Sequence, residues 1–527
     1  MMAAKRERRA NRGDARSRDI LAESLRAEHD RLCFMRAYPG TRSERRRADR
    51  ALAAFEARIA SVRAELAHSG IAGTTYSYPY SYRLSQWLVE SQGRAVAIDW
   101  DAYMHGTWDE LSGVLSLLVS WAEIDGVDEE DRGAWDWVRS ALARHKAGEL
   151  SWLIARLKAG GLPPDVQRFL YETAEIPLRW DLTGSKESVT HLTLPRPRLF
   201  TSRTILRERP ADFAAAVRTR IGPLTRLAPS DARRMIRAAR AALSLREREF
   251  YVITNANPEE AYRTTCGRGL EIVTFGLPKP LRLPLEANYG CLLLRNGVPI
   301  GYAYGAVLFD RCDIGINIFP TYRDGESAYA FTKVAALFRT HFGSRVFIVR
   351  RYQVGHENPE GIDAGSFWFY WRLGFRPMDP RVRKLGEAEA LRLKRRKGAR
   401  TDAAMLRRLA RSDVVWHCDG FAPEQHRDYD VAAVGNAVTQ LIERRHRGDR
   451  RAAERESARR VGRAIGMRGV PPNAATIAAL IPRLDRWSAA DRKRLAAVLR
   501  AKFGRGERGY VLALLRAARF RAFIAGF

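Results

Sequence analysis

The chain has 527 residues, and its 91 Lys and Arg against 60 Asp and Glu give a formal net charge of +31 at pH 7. This length fits two to four domains, and a hydrophobic content of 46% is ample for packed cores. Five scattered cysteines with no CxxC pair argue against a disulfide framework or a zinc ribbon. The longest apolar run, 114–121, is too short to span a bilayer, and residues 5–18 lack the apolar core of a secretory signal. We therefore expect a soluble cytoplasmic protein without a transmembrane segment.

The excess of positive charge has two interpretations. A strongly basic protein attracts nucleic acid, anionic membranes or anionic cofactors. Alternatively, an Arg- and Ala-rich sequence reflects the base composition of its genome. The basic residues cluster toward both ends of the chain, with the densest run at 444–460. Nucleic acid bound through basic terminal arms is therefore one predicted partner, and a solvated basic surface is the alternative.

The first half of the chain predicts mainly helices. Residues 1–83 are expected to form a basic helical N-terminal arm that ends in the Tyr- and Ser-rich segment 74–82. We expect this segment to be a loop packed on the domain surface, and exposed tyrosines that stack on bases are the alternative. Residues 84–245 are expected to form a helical domain, because their apolar residues recur at helical spacing.

A third region, 246–384, predicts a sheet with a central helix. Residues 250–253 predict a strand and residues 257–262 the start of a helix. The proline-containing stretch 267–285 predicts a loop on the substrate side of the sheet.

A β-hairpin and a further strand follow this loop. Two apolar runs flank Asn296-Gly297, a dipeptide typical of a hairpin turn in which both central residues need positive φ. Another strand is expected at 314–319, and a basic, Gly-containing turn at 322–325.

An amphipathic helix is expected after the basic turn. Asp324 or Ser327 is expected to cap its start, and Gly343 to end it. Residues 346–349 then predict a buried strand, and residues 367–373 a short aromatic helix. The apolar face of the amphipathic helix consists of Phe331, Ala335, Phe338 and Phe342.

The order of these elements resembles the core of the GCN5-related N-acetyltransferase (GNAT) family, over a fifth to a quarter of the chain. In that family a turn of the pattern Arg/Gln-x-x-Gly-x-Gly/Ala opens the central helix and holds the pyrophosphate of coenzyme A. Independently of the family, free amides at a helix N-terminus form an anion site. The resemblance places Arg323 at the Arg/Gln position and Ala328 at the last small position. Glu326 stands where the family has its first Gly, and Gly325 comes one residue early.

A second similarity lies at the end of this region. The sequence FYWRLGF at 369–375 looks like the family's closing motif, in which a Tyr precedes a basic residue and Gly-Phe. The resemblance makes Tyr370 the general acid for the departing thiolate, and a buried aromatic core residue is the alternative role. Asn358 resembles the start of this segment, about five residues further from the Tyr than is usual.

The resemblance also implies where the acyl donor is held. Pantetheine would lie between the strands 314–319 and 346–349, with backbone groups of the first strand polarising the acyl carbonyl. The general base is left open among Asp313, His356 and Glu357, and a plain surface residue is the alternative role of each. The predicted catalytic residues are Tyr370, Asp313 and Glu357. The predicted cofactor-binding residues are Ile318, Phe319, Arg323, Asp324, Gly325, Glu326, Ser327, Ala328 and Asn358.

Residues 385–527 predict a basic C-terminal region of short helices. His417, Cys418, Asp419 and His426 are metal-ligand types, but no second ligand pair accompanies them, so no metal site is predicted.

The sequence thus predicts an α/β (α+β) fold, a GNAT-like mixed sheet with a central helix between helical basic terminal regions. The expected function is transfer of an acyl group from acetyl-CoA or another acyl-CoA to an unidentified amine. One alternative is a catalytically silent GNAT-like module that binds nucleic acid or a protein partner. Another keeps the fold and uses a larger donor, such as an aminoacyl-tRNA.

Overall fold

The structure is a computed structural model that describes residues 2–103, 108–127, 134–143, 148–196, 198–396, 398–420 and 426–527. It is a mixed α/β protein with one large and one small sheet. The helices of the first half are α1 Met2–Ala37, α2 Arg42–Ala53, α3 Phe55–Arg58, α4 Tyr82–Gln92, α5 Trp100–Tyr103, α6 Trp108–Ser116, α7 Ile124–Val127, α8 Ala134–Leu142, α9 Glu149–Ala159, α10 Pro164–Thr173, α11 Phe213–Arg218, α12 Pro229–Ser244 and α13 Tyr251–Thr254. Those of the second half are α14 Ser327–Phe342, α15 Arg351–Val354, α16 Pro359–Asp363, α17 Ser366–Arg372, α18 Pro380–Arg395, α19 Ala403–Leu409, α20 Val431–His446, α21 Arg450–Ile465, α22 Pro472–Ala478, α23 Ala489–Lys502, α24 Arg508–Leu514 and α25 Ala518–Ile524.

The strands form two sheets. The described strands are β1 Thr75–Tyr78, β2 Val96–Ile98, β3 Leu178–Asp181, β4 Thr225–Arg226, β5 Ala261–Thr265, β6 Leu270–Phe275, β7 Ala287–Arg295, β8 Val298–Leu308, β9 Arg311–Ile318, β10 Val346–Val349, β11 Arg376–Pro377 and β12 Val414–His417. The small sheet has the order β1-β3-β2, and the large sheet has the order β11-β12-β10-β9-β8-β7-β6-β5-β4.

Internal contacts divide the chain into two compact units. The first unit comprises Met1–Arg203, Arg234–Asn255 and Asn296–Pro299. The second comprises Thr204–Arg233, Ala256–Arg295 and Ile300–Phe527. The candidate site described below lies wholly within the second unit.

Helices surround the small sheet in the first unit. Its centre is Trp180 on β3, which is fully buried and contacts the ring of Trp87 edge-on at 6.1 Å. The Tyr-rich segment predicted as a loop is instead partly strand β1, and Tyr76 pairs across the sheet with Trp180. Burial of these aromatic side chains explains why a Tyr- and Ser-rich sequence is ordered here.

The large sheet of the second unit is mixed. Strand β9 pairs antiparallel with β8 along its whole length, from Arg311 to Ile318. On its other side β9 pairs in parallel with β10, but only over Arg311–Asp313. The connection between these parallel strands is α14, as a parallel pair requires a crossover. Residues 314–318 of β9 therefore lie beyond this parallel pairing.

Helix α14 packs closely on the sheet because β8 offers a glycine beneath it. A Cβ atom added to Gly305 would lie 2.2 Å from the ring of Phe338. The predicted apolar face of the helix is confirmed, since Phe331, Phe338 and Phe342 are fully buried. Gly343 ends the helix in the left-handed conformation, with φ of 75°, as predicted.

Several local predictions are confirmed. The hairpin turn Asn296-Gly297 has φ values of 52° and 79°. The buried strand occurs at Val346–Val349, and the aromatic helix at Ser366–Arg372.

Other local predictions are wrong. Residues 250–253, predicted as a strand, form most of α13, a single turn that apolar pattern alone cannot distinguish from a strand. The helix predicted at 257–262 stops after one turn, because the chain then pairs with β6 as strand β5. The predicted loop 267–285 contains β6, in which all six residues are buried.

Two further predictions need correction. The residue at the N-cap of α14 is Glu326, with no side-chain capping bond, and not Asp324 or Ser327. The C-terminal region, predicted as helical, also supplies β12, which pairs antiparallel with β10 and β11. None of the described helices has both the length and the apolar content that a bilayer-spanning helix needs.

Candidate functional site

Two neighbouring cavities lie at the N-terminus of α14. The larger has a volume of about 740 Å³, and the smaller about 280 Å³. Four residues line both, so the cavities meet along a common wall: Arg323, Ser327, Ala364 and Phe369. Together they form one candidate binding cleft.

The smaller cavity lies where β9 has lost its parallel partner. Ile316, Asn317 and Ile318 of β9 line one side of it. Residues from the α15–α17 segment line the other side, including Asn358 and Tyr370. The early end of β10 thus exposes backbone of β9 to a cavity, and backbone groups at such an edge can bind an extended ligand.

The larger cavity is bordered by the turn before α14. Asp324, Gly325, Ser327 and Ala328 line it. The first backbone hydrogen bond of the helix is donated by Ala330 to the carbonyl of Glu326 at 2.9 Å. The amides before Ala330 are therefore at the positive end of the helix dipole, where an anion is stabilised.

Glu326 is buried beside the cleft and does not line either cavity. Its Oε1 accepts hydrogen bonds from Nη2 of Arg268 at 2.6 Å and from the amide of Leu206 at 3.2 Å. Its Oε2 lies 3.1 Å from Nη1 of Arg295. Two guanidinium groups compensate the carboxylate, so it has a structural role at the start of the helix.

Arg323 lines both cavities and is the basic residue of the turn. Its Nε donates to the carbonyl of Ile318 at 3.3 Å, which links the turn to the end of β9. Its Nη2 pairs with Glu360, which lines the smaller cavity. Both side chains are partly exposed, so a ligand anion can compete with Glu360 for the guanidinium.

Three more arginines line the larger cavity: Arg207, Arg209 and Arg372. Nε of Arg207 donates to the carbonyl of Asp324 at 3.1 Å and so supports the turn. Two acidic residues, Glu208 and Asp324, also line this cavity. With Arg323 the wall carries four guanidinium groups against two carboxylates, which favours an anionic ligand.

Tyr370 lies at the inner wall of the smaller cavity and is 3% exposed. Burial raises its pKa, which keeps the hydroxyl protonated at neutral pH. Its ring contacts Phe331 and Phe375 at centroid distances of 5.5 and 5.8 Å. The residue therefore combines an aromatic packing role with a hydroxyl at the cavity.

Asp313 lies outside the linings of both cavities and has a guanidinium partner. Its Oδ2 accepts from Nε of Arg350 at 2.5 Å, and Arg350 also contacts Asp413 and Asp428. Burial raises the pKa of Asp313, and the positive charge of Arg350 partly offsets the rise. The carboxyl group is thus part of a charged network at the position where β9 and β10 separate.

The remaining predicted residues have different surroundings. Glu357 is exposed, with φ of 53°, and lies 3.7 Å from His356. Oδ1 of Asn358 accepts from the amide of Gly361 at 3.2 Å, so Asn358 caps α16 while lining the smaller cavity. Phe319 is buried, and its amide donates to the carbonyl of Ile300 at 2.9 Å. The structure thus brings Ile318, Arg323, Asp324, Gly325, Ser327, Ala328, Asn358 and Tyr370 to the cleft.

The sequence did not predict the contribution of the Arg207–Arg209 segment to this cleft. Arg207 lies 117 positions before Asp324 in the turn that it supports, and nothing in its local pattern indicates a site. The lining residues Asn317 and Gln353 were missed as well, although Asn317 lies in a predicted strand.

His417 and His426 form a second polar cluster away from the cleft. Nε2 of His417 and Nδ1 of His426 are 3.3 Å apart, and burial lowers the pKa of His417 to about 4. Among the described residues, no group of three or more His, Cys, Asp or Glu is arranged to hold a metal ion.

Comparison with family models, curated proteins and solved structures gave no match to this chain.

Proposed function

We propose that the second unit contains a GNAT-like core that binds an acyl-CoA and transfers its acyl group to an amine. One observation carries this proposal: β9 continues past the end of its parallel partner β10, and a cavity at that edge meets the N-terminus of α14. An extended thioester donor needs such an arrangement, with an open strand edge for the pantetheine arm and a helix start for the pyrophosphate.

The polar groups of the cleft support this orientation of the donor. The pyrophosphate would lie against the amides of 326–328, where Arg323 offers a charge-assisted contact. The arm would lie along Ile316–Ile318, and the acyl carbonyl would point toward the separation of β9 and β10. The acidic residue that stands in place of the family's glycine, Glu326, is buried against two arginines and leaves this path open.

The proposed chemistry requires proton transfers at two atoms. The amine must lose a proton before it attacks the thioester carbonyl, and the departing sulfur must gain one. Tyr370 is the proposed donor to the sulfur, because it is protonated, buried and lines the cavity. Asp313 is the candidate acceptor of the amine proton, since burial raises its pKa; its pairing with Arg350 requires a water or a rearrangement to relay the proton.

A catalytically silent binding module is the second candidate, and a specific contact favours it. The ion pair Arg323–Glu360 occupies the basic group that a pyrophosphate would need. Asp324 adds a further negative charge to the wall of the larger cavity. If these carboxylates exclude anions, the cleft would be a remnant of a donor site.

Two assays separate the candidates. Native mass spectrometry of the purified protein should detect a retained CoA ester, and a thiol-release assay should show CoA formation when amines are added to acetyl-CoA. Peptide amines, polyamines and aminoglycosides are suitable as an acceptor panel. Absence of both binding and thiol release would favour the silent module, and binding without thiol release for any acyl length would contradict the proposed transfer.

A further inference from the structure

The C-terminal helices of the second unit carry a line of exposed arginines. Helix α21 has arginine at every fourth position, and all four side chains are exposed. We call this set the α21 arginine line: Arg451, Arg455, Arg459 and Arg463. Residues four apart lie on neighbouring turns of a helix, so the line extends for about 18 Å.

The charges of this line are not compensated locally. Among the described residues, none of the four guanidinium groups forms an ion pair, whereas the adjacent Arg450 pairs with Glu443. Among the described contacts, the acidic residues of the same helix, Glu454 and Glu456, form no ion pair with the line, and Glu456 lies 3.8 Å from His446. Like charges four residues apart disfavour a helix, so this arrangement reduces the stability of the isolated element. An anionic partner would remove that repulsion.

A basic cavity adjoins one end of the line. It has a volume of about 510 Å³ and is lined by four arginines with one carboxylate, Asp485. The arginines of the cavity are Arg460, Arg463, Arg483 and Arg492. Arg463 thus belongs to both the line and the cavity.

Two of these four arginines hold the cavity together. Nη2 of Arg460 pairs with the carbonyl of Ala479, and Nη1 of Arg492 donates to the carbonyl of Ala464 at 3.3 Å. Arg463 and Arg483 are exposed and free of these structural bonds, so they can meet a ligand. The cavity therefore has fixed walls and two available guanidinium groups.

We propose that the α21 arginine line and its cavity bind a single strand of nucleic acid through its phosphates. A line of guanidinium groups spaced by one helical turn matches a chain of successive phosphates better than a single anion. The cavity is large enough to admit an unpaired nucleotide at one end of the strand, which a duplex cannot supply. The proposal does not depend on the acyltransferase assignment.

The exposed face of α21 argues against a membrane as the partner. Its exposed residues are charged, while its apolar side chains, including Val461 and Ile465, are buried. A helix that lies in a membrane surface needs exposed apolar side chains to insert.

Fluorescence anisotropy with the full chain tests the proposal. The probes are a labelled 20-nucleotide single-stranded RNA, the corresponding DNA strand and its duplex. The variant replaces all four arginines of the line with Gln. Because these four side chains are exposed, the substitutions should leave the fold intact. A matched control removes the same charge from another helix of the same unit, through Arg381→Gln, Lys384→Gln, Lys394→Gln and Arg395→Gln on α18.

The expected result is that loss of the line weakens single-strand binding at least tenfold and the α18 control changes it less than threefold. The slope of log affinity against log salt should become less steep by about 3, since each contact to a single strand contributes about 0.7. Arg483→Gln should weaken binding of a 5′-phosphorylated strand more than of the same strand without that phosphate.

Four outcomes would overturn the proposal. The first is an equal loss of single-strand affinity in the line variant and the α18 control, and the second is no wild-type binding at 50 mM salt. The third is a preference for duplex over single strand, and the fourth is competition by polyglutamate equal to that by the unlabelled strand. The last would identify a surface for an acidic protein.

Discussion

Oε1 of Glu326 accepts a hydrogen bond from Nη2 of Arg268 at 2.6 Å, and this contact keeps the carboxylate out of the candidate cleft. Its neighbours Gly325 and Ser327 line the larger cavity, whereas Glu326 does not. A residue that would repel pyrophosphate if it pointed into the turn instead binds the guanidinium groups behind it. The start of α14 is therefore held by an ion pair where the resembling family has a glycine.

Removal of the Glu326 charge should affect stability more than ligand binding. In Glu326→Gln, Arg268 and the buried Arg295 lose a carboxylate counterion, which we expect to lower the free energy of unfolding by about 3–5 kcal/mol. The affinity for CoA should change less than threefold. Urea unfolding and calorimetry measure the two quantities.

Asp324→Asn is the matched control for Glu326→Gln, because it removes the same charge two residues away. Asp324 is exposed and lines the larger cavity, so this variant should bind CoA about three- to tenfold more tightly with unchanged stability. A tenfold loss of CoA affinity in a folded Glu326→Gln protein would instead make Glu326 part of the binding site.

The pair Arg323–Glu360 should set the affinity of the cleft for anions. Arg323→Ala removes one charge-assisted contact, worth about 1.5–3 kcal/mol, or roughly ten- to a hundredfold in Kd. Glu360→Gln should instead strengthen CoA binding, because Glu360 competes with the ligand for the same guanidinium. Calorimetry with CoA tests both, and Arg407→Ala, at an exposed arginine of α19 that lines neither cavity, is the control. Weaker binding in both Arg323→Ala and Glu360→Gln would show that the ion pair itself shapes the site.

Packing of α14 on the sheet should depend on Gly305. A Cβ atom at this position would lie 2.2 Å from the ring of Phe338, so Gly305→Ala should destabilise the protein by about 1–3 kcal/mol. Gly435→Ala, in the interior of α20 with no atom within 4 Å of the added Cβ, should stabilise it by about 0.5–1 kcal/mol. Denaturant midpoints of the two variants should therefore move in opposite directions. A denaturant midpoint of Gly305→Ala equal to that of the wild type would mean that the helix moves away from β8 without loss of stability.

A buried charged cluster in the second unit should make stability depend on pH. Glu507 contacts Lys502 and lies 3.9 Å from Arg282, which also binds Glu260. Burial, partly offset by Lys502, raises the pKa of Glu507 to about 7 from 4.5. Because the folded form holds its proton to higher pH, the contribution of Glu507 is present below about pH 4.5 and is lost as pH rises toward 7.

The wild type should accordingly lose stability between pH 5 and 7.5 relative to Glu507→Gln, which cannot titrate. Burial also raises the pKa of Glu260, so that group acts in the same direction and is common to both proteins. Thermal unfolding over this range at constant ionic strength measures the difference. Parallel pH profiles would show that Glu507 stays ionised in the folded protein.

The sequence predicted best the elements whose signals are local. The turn Asn296-Gly297, the strand 346–349 and the end of α14 at Gly343 each depend on a few adjacent residues, and the structure has all three. Strands β5 and β6 were missed because their partners decide them: Ala261–Thr265 is a strand only by pairing with Leu270–Phe275.

The candidate site shows the same division. Arg323, Ser327 and Tyr370 could be predicted from motifs that surround them in sequence, and all three line the cleft. The orientation of Glu326 could not, because its partners Arg268 and Arg295 are distant in sequence and come together only through the sheet.

The most direct test of the proposed donor site is calorimetric titration of acetyl-CoA into the wild type and Ala364→Trp. Ala364 is exposed and lines both cavities, so an indole there should fill their junction without disturbing the core. Ala432→Trp, at an exposed position of α20, adds the same side chain elsewhere. The proposed donor site requires saturable binding to the wild type and the α20 variant, and at least a hundredfold loss of affinity in Ala364→Trp. No binding to the wild type, or equal binding to all three proteins, would contradict it.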